Sequence, residues 1–211
     1  MDEYRKQAYE VKCKTVMKAL ERNNMNPHFC STKEEAADLV MSMIGENDVV
    51  SWGGSVTIDE LGVKERLGEK GIKVIDRDAA PTLEENFRLR REGLLSDVYL
   101  TSTNAITYDG ELLNIDGLGN RVAAMAYGPS KVIFVVGANK ICPDLDYAYK
   151  RVKVDACPEN AIRTNNNTPC RVTGKCANCL DGTICGVIQV IRHSGTPDRI
   201  HVIMVADDLG F

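Results

Sequence analysis

Val49-Val-Ser-Trp-Gly-Gly-Ser-Val-Thr57 runs from a short apolar stretch through two glycines to hydroxyl residues that open a helical pattern. Its expected order is strand, tight turn, capped helix. Val and Trp suit a pleated, buried strand. Gly53 and Gly54 allow the backbone to approach another group closely, and Ser55 and Thr57 place hydroxyls beside the positive end of a helix. Working outward, the alternation recurs. Asp48 to Trp52, Lys73 to Asp76, Asp97 to Thr101 and Lys131 to Gly137 are predicted strands, rich enough in apolar residues to be covered on both faces. Helix starts are predicted at Thr32-Lys-Glu-Glu35, Thr57-Ile-Asp-Glu60 and Thr82-Leu-Glu-Glu85, where Thr precedes Glu by three residues and each can satisfy a free N–H of the first turn. This pattern predicts an α/β fold built on a doubly wound, mainly parallel sheet.

At the N-terminal side, Tyr4, Ala8, Val11, Thr15, Met17 and Leu20 recur at helical intervals among charges, which predicts a leading helix within residues 1–26. Beyond Asp144 a helix is predicted to about Asn160, followed by the polar loop Thr164 to Thr168 and a group of cysteines. Val187 to Arg192 and Arg199 to Val205 flank Ser194-Gly-Thr-Pro-Asp198 and are expected to pair as a terminal hairpin. The expectation is one domain over residues 1–211, with residues 165–211 as a cysteine-rich hairpin appendage.

The formal net charge of −4 and the pI of about 5.5, without a Lys/Arg run, exclude a nucleic-acid binder from the expected classes. The charged start Met1-Asp-Glu-Tyr-Arg-Lys-Gln7 has no signal-peptide character, and no apolar stretch approaches the ~20 residues of a membrane span, so a cytoplasmic protein is expected. A homo-oligomer is compatible with this composition.

Cys170, Cys176, Cys179 and Cys185 are spaced Cys-x5-Cys-x2-Cys-x5-Cys. In a reducing compartment such a cluster predicts four ligands of one zinc ion or one [4Fe–4S] cluster; two local disulfides or four free thiols are the alternatives. Cys157, thirteen residues before Cys170, is a candidate extra ligand.

In doubly wound sheets, ligands bind at the carboxyl ends of strands. The residues expected there are Gly53, Gly54, Ser55 and Thr57 on the first turn, Asn104 after the third predicted strand, and Asp116, Asn120 and Arg121 before the next helix. Lys140 follows the last strand. Arg121 offers a planar fork for carboxylate or phosphate, with a bridge to Asp116 as the structural alternative, and Lys140 supplies a second cation.

Gly53-Gly-Ser-x-Thr-x-x-Glu-Leu-Gly62, Thr103-Asn-Ala-Ile-Thr107, Asn114-x-Asp-Gly-x-Gly-Asn-Arg-Val122 and Gly137-x-Asn-Lys140 resemble the LUD-domain family, that of lactate utilisation protein C. The cysteine segment resembles a shorter, cysteine-bearing branch of it. The resemblance implies the fold of the ribose-5-phosphate isomerase and CoA-transferase superfamily. It also implies a small anionic metabolite as ligand, and an accessory role in lactate or other organic-acid oxidation beside iron–sulfur partner subunits. A stand-alone enzyme acting on a phosphosugar or a CoA thioester is the alternative.

Ser102-Thr-Asn-Ala-Ile-x-x-Asp-Gly-Glu-Leu-Leu-Asn114-x-x-Gly117 is more distantly similar to a motif of methylthioribose-1-phosphate isomerases. Asn104 falls where that motif has its catalytic aspartate, and an amide takes up no proton. The three histidines, His28, His193 and His201, lie outside these loops, so no histidine-based triad is expected.

Overall fold

The computed structural model describes all residues, 1–211. In chain order it holds α1 (Glu3–Arg22), β1 (Asn26–Cys30), α2 (Lys33–Ser42), β2 (Val49–Trp52), α3 (Val56–Glu60), α4 (Val63–Glu69), β3 (Lys73–Ile75) and α5 (Leu83–Glu92). Then come β4 (Val98–Thr101), β5 (Ala105–Thr107), β6 (Leu112–Asp116), α6 (Asn120–Ala126), β7 (Lys131–Gly137) and β8 (Ile141–Cys142). The chain ends with α7 (Leu145–Arg151), α8 (Cys157–Arg163), α9 (Pro169–Thr173), β9 (Val187–Ile191) and β10 (Ile200–Val205).

Six strands form the main sheet in the order β1-β10-β7-β4-β2-β3, every neighbouring pair parallel. The side-chain period of two explains why its central strands are almost wholly apolar. Val132, Phe134 and Val136 of β7 face one core, with α1 and α6, while Ile133 and Val135 face the other, with α2, α3 and α4. The predicted doubly wound sheet is therefore present, with helices on both faces.

A second, four-stranded sheet, β8-β5-β6-β9, carries the antiparallel pairs β5–β6 and β6–β9. This corrects the terminal hairpin. β9 and β10 do not pair: β9 joins β6, and β10 crosses back to lie between β1 and β7. The physical reason is cover. Five of the six residues of β10 are buried, so it needs packing on both faces, whereas β9 is mostly exposed and tolerates a sheet with one wet side.

Two smaller differences have local causes. β1 escapes the sequence reading because Pro27 and polar residues weaken its pattern, as is allowed at the edge of a sheet. The predicted single helix after Asp144 is α7 and α8 joined by a π turn over Val152–Ala156, next to Pro158, which has no N–H to give.

Candidate functional site

The carboxyl ends of β2, β3, β4 and β7 converge on one cleft with a volume of about 470 Å³. On its first side, Gly53 N donates to Leu100 O (3.2 Å), fixing the turn after β2 against β4. Ser55 then caps α3, its Oγ accepting from Ile58 N at 3.4 Å. Thr57 does not cap that helix, although its spacing to Glu60 suggested it. It is buried within the first turn, and its Oγ1 accepts from Lys140 Nζ at 2.9 Å. Glu60 is engaged elsewhere, accepting from Gly210 N at 3.0 Å.

Eight of the nine expected ligand-site residues line this cleft: Gly54, Ser55, Thr57, Asn104, Asp116, Asn120, Arg121 and Lys140. Gly53 lies beneath it. A Cβ on Gly53 would stand 2.8 Å from Cγ and Cδ of Arg121 and 3.2 Å from the Tyr99 hydroxyl, so that glycine makes room for protein side chains rather than for an anion.

Arg121 is a strut. Its Nη1 donates to Ser102 O (3.2 Å) and Asn114 Oδ1 (3.1 Å), and its Nη2 to Asn104 Oδ1 (2.9 Å) and Ile115 O (2.9 Å). Asp116 Oδ1 lies 3.9 Å from Nε, and Oδ2 accepts from the Arg121 backbone N–H at 3.1 Å. With its fork filled by protein acceptors, Arg121 ties the end of β4 in the main sheet to β6 in the second sheet. Asn104 is likewise committed through Oδ1, which also accepts from Ile115 N at 2.9 Å. Asn120 Oδ1 accepts from Arg90 Nη1 at 3.0 Å.

The cations free to meet a ligand are ones the sequence reading did not name. Arg77, immediately after β3, donates no side-chain hydrogen bond within the protein: its Nε is buried without an acceptor, 3.5 Å from Asp78 Oδ1. Its Nη2 would stand 2.9 Å from a Cβ on Gly54, and Arg163 Nη2 would stand 3.6 Å from the same point. Arg163 holds Asn160 Oδ1 through Nε (3.1 Å) and Nη2 (2.7 Å), which leaves Nη1 free. Arg77 had a signal in the sequence, since it directly follows a predicted strand. Arg163 comes from α8, and no sequence pattern links that helix to the strand ends.

Lys140 occupies the floor, 3% exposed, donating to Thr57 Oγ1 and Ser102 Oγ at 2.9 Å each. Burial pushes its amine down to about 7, the Arg151 and Arg121 guanidinium groups push the same way, and Glu60 opposes them. Burial also raises the Tyr99 hydroxyl to about 12, against the pull of Arg77 and Arg121, so that ring stays neutral.

The cysteines form a different arrangement from the one their spacing suggested. Cys170, Cys176, Cys179 and Cys185 do not meet: no three Cys, His, Asp or Glu side chains gather as metal ligands. Cys170 is buried with its Sγ 3.3 Å from Thr168 Oγ1, while Cys176 and Cys179 are partly exposed in the loop. Instead Cys185 Sγ lies 3.4 Å from Cys157 Sγ. The hydrogen bond between them lowers the Cys185 thiol, with the Lys153 ammonium acting the same way against burial; it raises that of Cys157, where burial adds to the rise and Lys153 opposes it. Tetrahedral ligation would need all four thiols within ~2.3 Å of one ion; Cys157, the candidate extra ligand, is the thiol beside Cys185. His201, outside the cleft, stacks on His28 with ring centroids 5.5 Å apart.

No helix is long and apolar enough to cross a membrane. Among solved structures, the chain is similar to the crystal structure of a DUF162 family protein from Deinococcus radiodurans. The TM-score is 0.55 over 93% of this chain and 98% of that one, and at 13% identity the likeness concerns the fold alone. The search of curated proteins gives no match. The LUD domain family model matches residues 13–205, a span that includes every strand of both sheets, and on that match the chain belongs to the LUD domain family.

Proposed function

We propose that the protein binds a small anionic metabolite in the strand-end cleft, with the anionic headgroup against Gly54 between Arg77 and Arg163. One observation carries the reading. Arg77, Arg90, Arg121 and Arg163 face the cavity against the single acidic side chain of Asp116, in a chain whose formal net charge is −4. Gathering cations in a low-dielectric cleft is unfavourable unless an anion offsets their repulsion. The family resemblance extends the proposal to an accessory role in lactate or other organic-acid oxidation, beside iron–sulfur partner subunits. The test is thermal stabilisation by inorganic phosphate, lactate and ribose 5-phosphate: at least one should raise Tm in wild type, and Arg77→Ala with Arg163→Ala should abolish the rise. Equal shifts in wild type and double variant would count against the cleft.

A second reading, catalysis on a phosphosugar or a CoA thioester, is favoured by Lys140. A buried lysine without a carboxylate partner is costly as an ammonium. Such amines recur where chemistry needs an unprotonated nucleophile or base.

A further inference from the structure

We infer that Lys140 is a covalent nucleophile, condensing with the carbonyl group of a phosphorylated aldehyde or ketone whose phosphate sits between Arg77 and Arg163. The inference rests on the cleft reading above and adds to it a reacting atom and a substrate class.

Hydrogen bonds around the amine support it. Both contacts of Nζ, Thr57 Oγ1 and Ser102 Oγ, are acceptors toward lysine, because each hydroxyl gives its own proton away: Ser102 to Thr103 O at 3.3 Å and Thr57 to Leu209 O at 3.4 Å. A neutral amine has two N–H donors and one lone pair, and an ammonium has three donors. The site supplies two acceptors. A neutral Lys140 therefore has both N–H groups accepted by the protein and its lone pair unengaged, whereas an ammonium would have a third N–H for which the protein supplies no acceptor. Arg121 and Arg151 add repulsion against a third positive charge, and no carboxylate lies within ion-pair distance of Nζ. An amine held merely as an anchor for an anion would be expected to stay charged; this one is built to be free of its proton.

The second half of the inference is spacing. The Gly54 to Thr57 turn carries both ends of the site: Arg77 and Arg163 converge over Gly54, and Lys140 is bonded to Thr57. A small molecule with a phosphate at one end and a carbonyl at the other can lie along that one turn. The lone pair of Nζ adds to the carbonyl carbon, the C=O π pair moves to oxygen, and that oxygen takes up the proton released by nitrogen, with Ser102 Oγ placed to relay it. Loss of water from the carbinolamine leaves C=N–Lys140. Amine and carbonyl compound yield imine and water, and no electrons are gained or lost.

The experiment is reductive trapping on the full chain. Protein is mixed with D-glyceraldehyde 3-phosphate or D-ribose 5-phosphate and sodium cyanoborohydride near pH 8, then mapped by peptide mass spectrometry. Unphosphorylated D-glyceraldehyde serves as the comparison, and thermal shift is read in parallel. Expected are a reduced adduct concentrated on Lys140, at least tenfold less of it with the unphosphorylated sugar, and its loss when inorganic phosphate competes or Arg77 is changed to Ala. Lys140→Arg should bind the phosphosugar without forming the adduct. Because the mapping is done on wild type, a misfolded variant leaves the result standing. Phosphosugar stabilisation without a Lys140 adduct overturns the imine and leaves the cleft reading intact. Adducts spread evenly over surface lysines also overturn it. Absence of both stabilisation and adduct overturns the two together.

Discussion

The cleft and the cysteine segment were both legible as sites, and they came out in opposite ways. The cleft draws its residues from nine separated parts of the chain, yet they meet around one cavity, with Arg121, Asn104 and Lys140 tied to protein partners. The four cysteines lie within sixteen residues of each other, and no three of them gather as a ligand set. Rigidity is the difference. Cleft residues stand at the ends of parallel strands whose positions are set by two buried cores, whereas residues 174–186 have no helix or strand and few backbone hydrogen bonds. Closeness in sequence assembles a site only if something holds the loop.

The sharpest way to break this comparison is Arg121→Ala. It strands the acceptors of Ser102, Asn114 and Ile115 in a buried place, and a loss of about 3 to 5 kcal/mol is expected, read as a fall in urea midpoint. A change below about 1 kcal/mol would mean that the cleft does not depend on its strut.

Next in size is a pH effect. The Lys140 amine, lowered by burial to about 7, releases its proton in the folded state well before the unfolded chain does near its ordinary 10.5. Between those values the unfolded chain binds more protons, so stability rises with pH, by up to ~1.4 kcal/mol per unit for this one group. Burial lifts the thiols of Cys13 to about 12 and Cys30 to about 11, and these act in the opposite sense above ~9. The difference between wild type and Lys140→Met isolates the amine: its slope should be positive from pH 7 to 9, and a flat difference would place an ordinary charged lysine there.

Gly53→Ala should cost about 1 to 3 kcal/mol by pushing on Arg121 and Tyr99. Arg77→Ala should leave stability within about 1 kcal/mol yet weaken anion binding by roughly tenfold or more, the worth of a charge-assisted hydrogen bond. The smallest effect belongs to the other region. Cys179→Ser, in the loop, should move stability by less than ~0.5 kcal/mol and leave metal content unchanged. One zinc per chain, or iron with sulfide, lost in this variant would show that the segment closes around an ion after all.

How much of this could be read from the chain differs element by element. α2 and α5 start where Thr32 and Thr82 announce them, each hydroxyl accepting from the N–H three residues on, at 3.2 Å. β2, β4 and β7 lie where their apolar runs predict. Thr57 shows the limit: the same spacing to a glutamate describes a buried partner of Lys140, because Ser55, two residues earlier, already satisfies the helix start. β10 shows another, since an apolar run shows that a strand will be buried but not between which neighbours.

The sequence by itself therefore determined which segments are strands and helices, that the sheet is parallel, and that Gly54, Ser55, Asn104 and Lys140 stand at its carboxyl ends, because periodicity, capping and turn chemistry act over a few residues. Only the tertiary structure decided that Arg121 spends its fork on the protein, that Arg77 and Arg163 take the open face of the cleft, that Lys140 is left with two acceptors for its protons, and that Cys185 finds Cys157. Those outcomes depend on desolvation and on which distant groups share a buried space, and neither is written in local spacing.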